Sequence, residues 1–144
     1  MATVYLTRRA SFSASHRLWS EALSERENWE LYGKCANPNG HGHNYTLEVT
    51  LRGEPDPHTG MLMNLAELRE IMHREIVDQV DHRHLNYDVP WLRESIPTTE
   101  NLVLKFWERL EAALPPGLLY EVRLIETDNN SASYRGERHP LTHP

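Results

Sequence analysis

The stretch His41-Gly42-His43-Asn44-Tyr45-Thr46-Leu47-Glu48-Val49-Thr50-Leu51 alternates strictly from Tyr45 onward. Tyr45, Leu47, Val49 and Leu51 fall on one side, with Thr46, Glu48 and Thr50 on the other. That period of two marks a half-buried strand. His41 and His43 share the parity of the apolar set. Residues two apart on an extended chain point the same way and lie about 7 Å apart at Cα. Both imidazoles therefore face the end of the presumed core and can converge on one metal ion. Neutral imidazole suits zinc, and a catalytic zinc takes three protein ligands and keeps a further position open. His16 is the candidate third ligand. It ends Phe12-Ser13-Ala14-Ser15-His16, the close of a first strand that starts near Val4, and hairpin-like pairing of the two strands would bring it alongside.

Outward from this stretch, Pro55, Asp56, Pro57 and Gly60 form a turn region. Asn64, with Glu67 three residues on, predicts a helix start, and Leu65, Leu68, Met72 and Ile76 carry that helix to about Val80. Thr98 or Thr99 caps a second helix with a stripe of Val103, Phe106, Leu110 and Leu114, stopped by Pro115-Pro116-Gly117. Tyr120, Val122 and Leu124 alternate as a third strand. Asp128-Asn129-Asn130 then turns into a short fourth one near Ala132 and Tyr134. The expected fold is α+β, a four-stranded antiparallel sheet with two helices on one face, in a single domain over 1–144. Its exposed sheet edges must be blunted or paired, which points to oligomerisation through them.

A formal net charge of −6 with no block of Lys and Arg argues against broad nucleic-acid binding. No apolar run approaches the roughly 18 residues of a membrane span, and the first residues lack a signal-peptide pattern, so a cytoplasmic protein is expected. The single cysteine, Cys35, has no internal disulfide partner. As a fourth ligand it would close a structural site; as a free thiol beside the cation it would serve as base or nucleophile. Five residues including Pro38 and Gly40 separate it from His41, enough to loop the sulfur away, and this favours the open site.

Two further positions stand out. Asp81-His82 sets a carboxylate beside an imidazole, the pairing that orients a general base, although neighbours on an extended chain point apart and a helix-terminating turn also explains them. Glu126 continues the parity of Tyr120, Val122 and Leu124, and a carboxylate on that face needs a partner. A substrate edge with two adjacent N–H donors would satisfy both oxygens, whereas a wet strand end or an ion pair is the alternative.

These residues, with Gly33-Lys34-Cys35, His41-Gly42-His43-Asn44-Tyr45, Gly60-Met61-Leu62-Met63-Asn64-Leu65, Pro97-Thr98-Thr99-Glu100-Asn101 and Glu126-Thr127-Asp128-Asn129-Asn130, closely resemble the 6-pyruvoyltetrahydropterin synthase family from Phe12 to Glu137. The resemblance implies the tunnelling fold, whose subunits join edge to edge into a trimeric barrel, with two trimers stacked as a homohexamer. It implies zinc on His16, His41 and His43, a catalytic thiol on Cys35, and a proton-transfer pair on Asp81 and His82 supplied by a neighbouring subunit. Glu126 would hold the pyrimidine edge of a pterin, with Thr98 and Thr99 beside the substrate. The implied reaction converts 7,8-dihydroneopterin triphosphate to 6-pyruvoyltetrahydropterin with loss of triphosphate. Arg8, Arg9, Arg17, Lys34 and Arg83 are candidates for a positive mouth that receives the polyanion. Two rivals stay open. One is the homologous 6-carboxytetrahydropterin synthase of queuosine biosynthesis, and the other is a non-catalytic zinc-stabilised binding module.

Overall fold

The computed structural model describes residues 2–137. Five strands form one sheet: β1 (Val4–His16), β2 (His41–Gly53), β3 (Arg83–His84), β4 (Leu119–Thr127) and β5 (Asn130–Tyr134), in the order β3-β1-β2-β4-β5. All pairs are antiparallel except β3, which runs parallel to β1 through Ala14↔Arg83 and Ser15↔His84. The α+β class holds, with one strand more than expected. The extra strand is two residues long, too short to leave a periodic signal.

The helices are α1 (Glu25–Tyr32), α2 (Leu65–Met72), α3 (Asp78–Val80) and α4 (Thr99–Ala113). Leu68 and Met72 of α2 and Leu102, Phe106 and Leu110 of α4 join the inward strand residues Tyr45, Leu47, Val49, Val122 and Leu124 in one core cluster. Phe12 stacks on Tyr45 with ring centroids 4.9 Å apart, a pairing that adds about 0.5–1.5 kcal/mol beyond area burial.

Two sequence expectations need correcting, and the choice between Thr98 and Thr99 is decided. A helix beyond the two expected lies between the first two strands. Ser24 caps α1 and exchanges hydrogen bonds with Glu27 in a full capping box. The helix expected to run unbroken to Val80 is interrupted over His73–Val77 by a π turn, whose Glu75 carbonyl accepts from Arg109 Nε at 2.7 Å. Of the two threonines, Thr98 is the N-cap of α4, its Oγ1 accepting from Asn101 N at 3.2 Å.

The β1–β2 register runs from Val4↔Gly53 to His16↔His41 and positions the candidate site. Even-numbered β1 residues and odd-numbered β2 residues share the inner face, and the histidines lie where that face ends. The other face is polar, with Glu48 held between Arg9 at 2.7 Å and Arg123 at 3.3 Å, and Thr7 paired to Thr50. Among the described residues, the edge of β1 from Val4 to Phe12 has no strand beside it, since β3 covers only Ala14 and Ser15. That open edge is the liability foreseen from the sequence.

Candidate metal centre

His16 stands opposite His41 across the β1–β2 ladder, and His43 follows two residues along β2 on the same face. One ring nitrogen from each of these histidines lies within 4.8 Å of the others. His16 is 1 % exposed and the other two are half-buried. Its Nδ1 donates to the Pro97 carbonyl at 2.8 Å, and a carbonyl can only accept, so the proton sits on Nδ1 and Nε2 is bare. That bare Nε2 lies 3.1 Å from Nε2 of His41. Nε2 of His43 is buried with no hydrogen-bond partner. A buried nitrogen left unpaired is costly, and a cation placed here would satisfy it together with the His16 and His41 nitrogens that converge beside it. The donor set is compatible with zinc.

Burial holds the His16 imidazole at a pKa of about 4 against an ordinary 6.5; the Pro97 bond opposes the shift and His41 adds to it. His41 is lowered as well, chiefly by burial and next by His43. Both groups stay neutral and ready to ligate at neutral pH. The sign for stability follows from linkage. Because the unfolded state takes up the His16 proton first, this contribution is complete above pH 6.5 and is lost as pH falls from 6.5 toward 4. Urea unfolding of metal-free protein across that window should therefore show a falling midpoint, and His16→Gln should flatten the trend. Burial, with Glu126 nearby, also raises the pKa of the Tyr45 hydroxyl, which lies 3.4 Å from His16 Nδ1 and stays protonated.

Glu126 reaches the same place from β4. Ile125 pairs with Ser131 and Thr127 with Asn130, so Glu126 occupies a β-bulge, a device that re-aims a side chain at a strand end. Its Oε2 is 3.9 Å from Nε2 of both His16 and His43 and accepts from Thr99 Oγ1 at 3.0 Å. Beside it opens a cleft of about 610 Å³ lined by Leu18, Tyr32, Thr98, Thr99, Glu126 and Asn130, among others. That volume lies in the range of small-molecule sites.

Cys35 lies in a 3₁₀ turn, Gly33–Ala36, and is half-buried. Its sulfur is not among the converging ligand atoms. Its carbonyl accepts from Leu18 N at 2.8 Å, which sets the turn beside a residue of the cleft. The loop from there to His41 depends on Gly40, at φ +72°, where a Cβ would lie 2.8 Å from the His16 carbonyl oxygen and 2.9 Å from His84 Nε2. Gly40→Ala combines that clash with a left-handed backbone. It should destabilise the fold by about 1–3 kcal/mol and, by displacing His41, weaken metal binding; thermal unfolding and a zinc titration would check both effects.

Asp81 and His82 do touch, contrary to the extended-chain expectation. His82 adopts φ +59°, which folds its Nδ1 back to 3.0 Å from Asp81 Oδ1. Ser13 N donates to that same oxygen at 2.9 Å, and this bond above all holds the Asp81 carboxyl below its ordinary pKa. His82 is largely exposed and lines a second cleft of about 510 Å³ with Ser13, Ser15, Asn44, Arg83 and His84. Ser13, Ser15 and Asn44 belong to the polar face, so a single subunit does not bring the pair into the Glu126 cleft. Of the basic candidates, Arg9 is tied to Glu48, and Arg17 lies 4.1 Å over the Trp19 ring while its Nε donates to the Ala36 carbonyl. Arg83 borders the second cleft. Sequence reading missed the Pro97 carbonyl, because a backbone acceptor has no residue signature.

Fold and site together define a tunnelling-fold domain whose sheet end carries a three-histidine group able to hold a metal ion. The chain belongs to the 6-pyruvoyl tetrahydropterin synthase family, whose description matches residues 5–137. A Pongo abelii relative named 6-pyruvoyl tetrahydrobiopterin synthase is 54 % identical over 132 residues, spanning 92 % of this chain and 91 % of its own. One of the same name from Dictyostelium discoideum is 50 % identical over 135 residues, 94 % of this chain and 98 % of its own. The solved structure of Caenorhabditis elegans 6-pyruvoyl tetrahydropterin synthase superposes with a TM-score of 0.91 at 46 % identity, covering 95 % of this chain and 98 % of that one.

Proposed function

We propose that this protein is a zinc-dependent 6-pyruvoyltetrahydropterin synthase, a lyase that converts 7,8-dihydroneopterin triphosphate to 6-pyruvoyltetrahydropterin and triphosphate. The observation that carries the reading is one end of one sheet, where converging ring nitrogens of His16, His41 and His43 lie beside the Glu126 carboxylate at the wall of a substrate-sized cleft. The names of the relatives favour the pyruvoyl product over the carboxy one. A ligand set that does not draw in Cys35 favours an open centre over a closed structural one.

His16, His41 and His43 would hold the zinc. When bound, zinc supplies Lewis acidity, which lowers the cost of negative charge developing beside a carbon that loses its proton. Glu126 accepts two N–H groups from the pyrimidine edge and orients the ring, while Thr99 steadies the carboxylate. Cys35, as thiolate, takes the proton from a carbon of the substrate's three-carbon arm. The triphosphate leaves with the electron pair of its C–O bond. Protonation of the ring completes an internal redox change in which the arm is oxidised and the ring reduced, so no nicotinamide is needed.

Asp81 and His82 would come from a neighbouring subunit, a reading that their place outside this cleft supports. The open β1 edge supports edge-to-edge trimers, paired into a homohexamer. Among the described residues no helix is long and apolar enough to cross a membrane, and a cytoplasmic location goes with this reading. Stripping the protein with a chelator and restoring zinc tests the assignment. Turnover should vanish and return with zinc, whereas activity indifferent to both treatments would refute the zinc role.

A further inference from the structure

His16 is the last residue of β1, and the ladder to β2 ends at the His16↔His41 pair. A strand end released there would let a ligand swing, yet the next residues are pinned. Asn86 provides the pin. Its Oδ1 accepts from Arg17 N at 2.9 Å, and its Nδ2 donates to the Arg17 carbonyl at 2.8 Å. One side-chain amide thus pairs both backbone groups of the residue after the ligand, as a neighbouring strand would. Just before it, Leu85 N donates to the Ser15 carbonyl at 2.8 Å. His16 is therefore bracketed from the β3 side on both flanks. One residue further, Leu18 N donates to the Cys35 carbonyl at 2.8 Å, so the bracket also bears on the thiol's turn.

We propose that Asn86 is a positioning residue for the metal centre, extending the β3 edge by its carboxamide to fix His16 and, through Leu18, the turn that carries Cys35. It touches neither the ligand atoms nor the cleft. The inference rests on the reading that His16, His41 and His43 bind zinc. Partners one shell out from a metal orient the first shell, and their loss typically weakens metal affinity about 10- to 100-fold. Of the two bonds, only the one from Arg17 N survives if the amide becomes a carboxylate, because two oxygens then face the Arg17 carbonyl.

The test is zinc affinity by competition with a chromophoric chelator, together with the visible spectrum of the cobalt-substituted protein. It compares the wild type, Asn86→Ala, Asn86→Asp and a control, Arg109→Ala. The control removes the Arg109 bond to the Glu75 carbonyl of the π turn, which shares no residue with the His16, His41 and His43 cluster, and gauges general loosening. Asn86→Ala should lose affinity about 10- to 100-fold with altered cobalt bands, and Asn86→Asp should lose less, while Arg109→Ala keeps the wild-type affinity and spectrum. If Asn86→Ala does not fold, the comparison of Asn86→Asp with the control decides on the same readouts. Equal affinity and spectrum in wild type and Asn86 variants would overturn the positioning role, as would an equal loss in the control. A wild-type protein that binds no zinc would instead overturn the metal reading itself, and this inference with it.

Discussion

Cys35→Ala is expected to leave zinc bound while turnover of 7,8-dihydroneopterin triphosphate falls about 10²- to 10⁴-fold, the scale of a lost general base. The expectation comes from two separations. Among the described residues the converging ligand atoms belong to His16, His41 and His43 alone, so removing the sulfur takes none of them from the metal. The turn that holds Cys35 is tied to the cleft wall through its backbone carbonyl and Leu18 N, a bond the substitution keeps. Metal analysis and steady-state kinetics on one preparation read both quantities. Loss of zinc and stability together would identify the thiol as a ligand and favour the structural-module reading. A retained metal with unchanged turnover would remove Cys35 from the chemistry.

His16→Ala should have the opposite profile. His16 is the most buried of the three histidines, and its Nδ1–H is given to the Pro97 carbonyl. Its loss removes a ligand, so zinc affinity should drop by more than the roughly 100-fold that the loss of an outer-shell partner can cause. It also orphans the Pro97 carbonyl and opens a void at the end of the core. An unsatisfied buried acceptor costs about 1–3 kcal/mol, so metal-free His16→Ala should be destabilised by at least that scale. Urea unfolding of the stripped protein separates this effect from metal loss. Unaltered zinc affinity in the variant would mean that the cluster is not the metal centre.

Much of this site was readable because strand geometry is regular. The period of two from Tyr45 to Leu51 placed His41 and His43 on the inner face, and the simplest antiparallel pairing brought His16 beside them. The parity of Val122 and Leu124 carried Glu126 to the same end of the sheet. What escaped lacks a pattern that propagates through the sequence. Segment β3 is two residues long, and Asn86 works through a side-chain amide that mimics a strand. Helix α1 buries only Asn28, so it has no apolar stripe, and its one signal was the Ser24-to-Glu27 capping box. The contact between Asp81 and His82 rests on a left-handed φ at a non-glycine residue, which composition does not announce.

The central claim is the reaction, and the product decides it most directly. Zinc-loaded protein incubated with 7,8-dihydroneopterin triphosphate, with the product identified by mass spectrometry, should yield a tetrahydropterin that keeps a three-carbon pyruvoyl group, with one triphosphate released per turnover. A carboxylate in place of that group, or no turnover at all, would contradict the account.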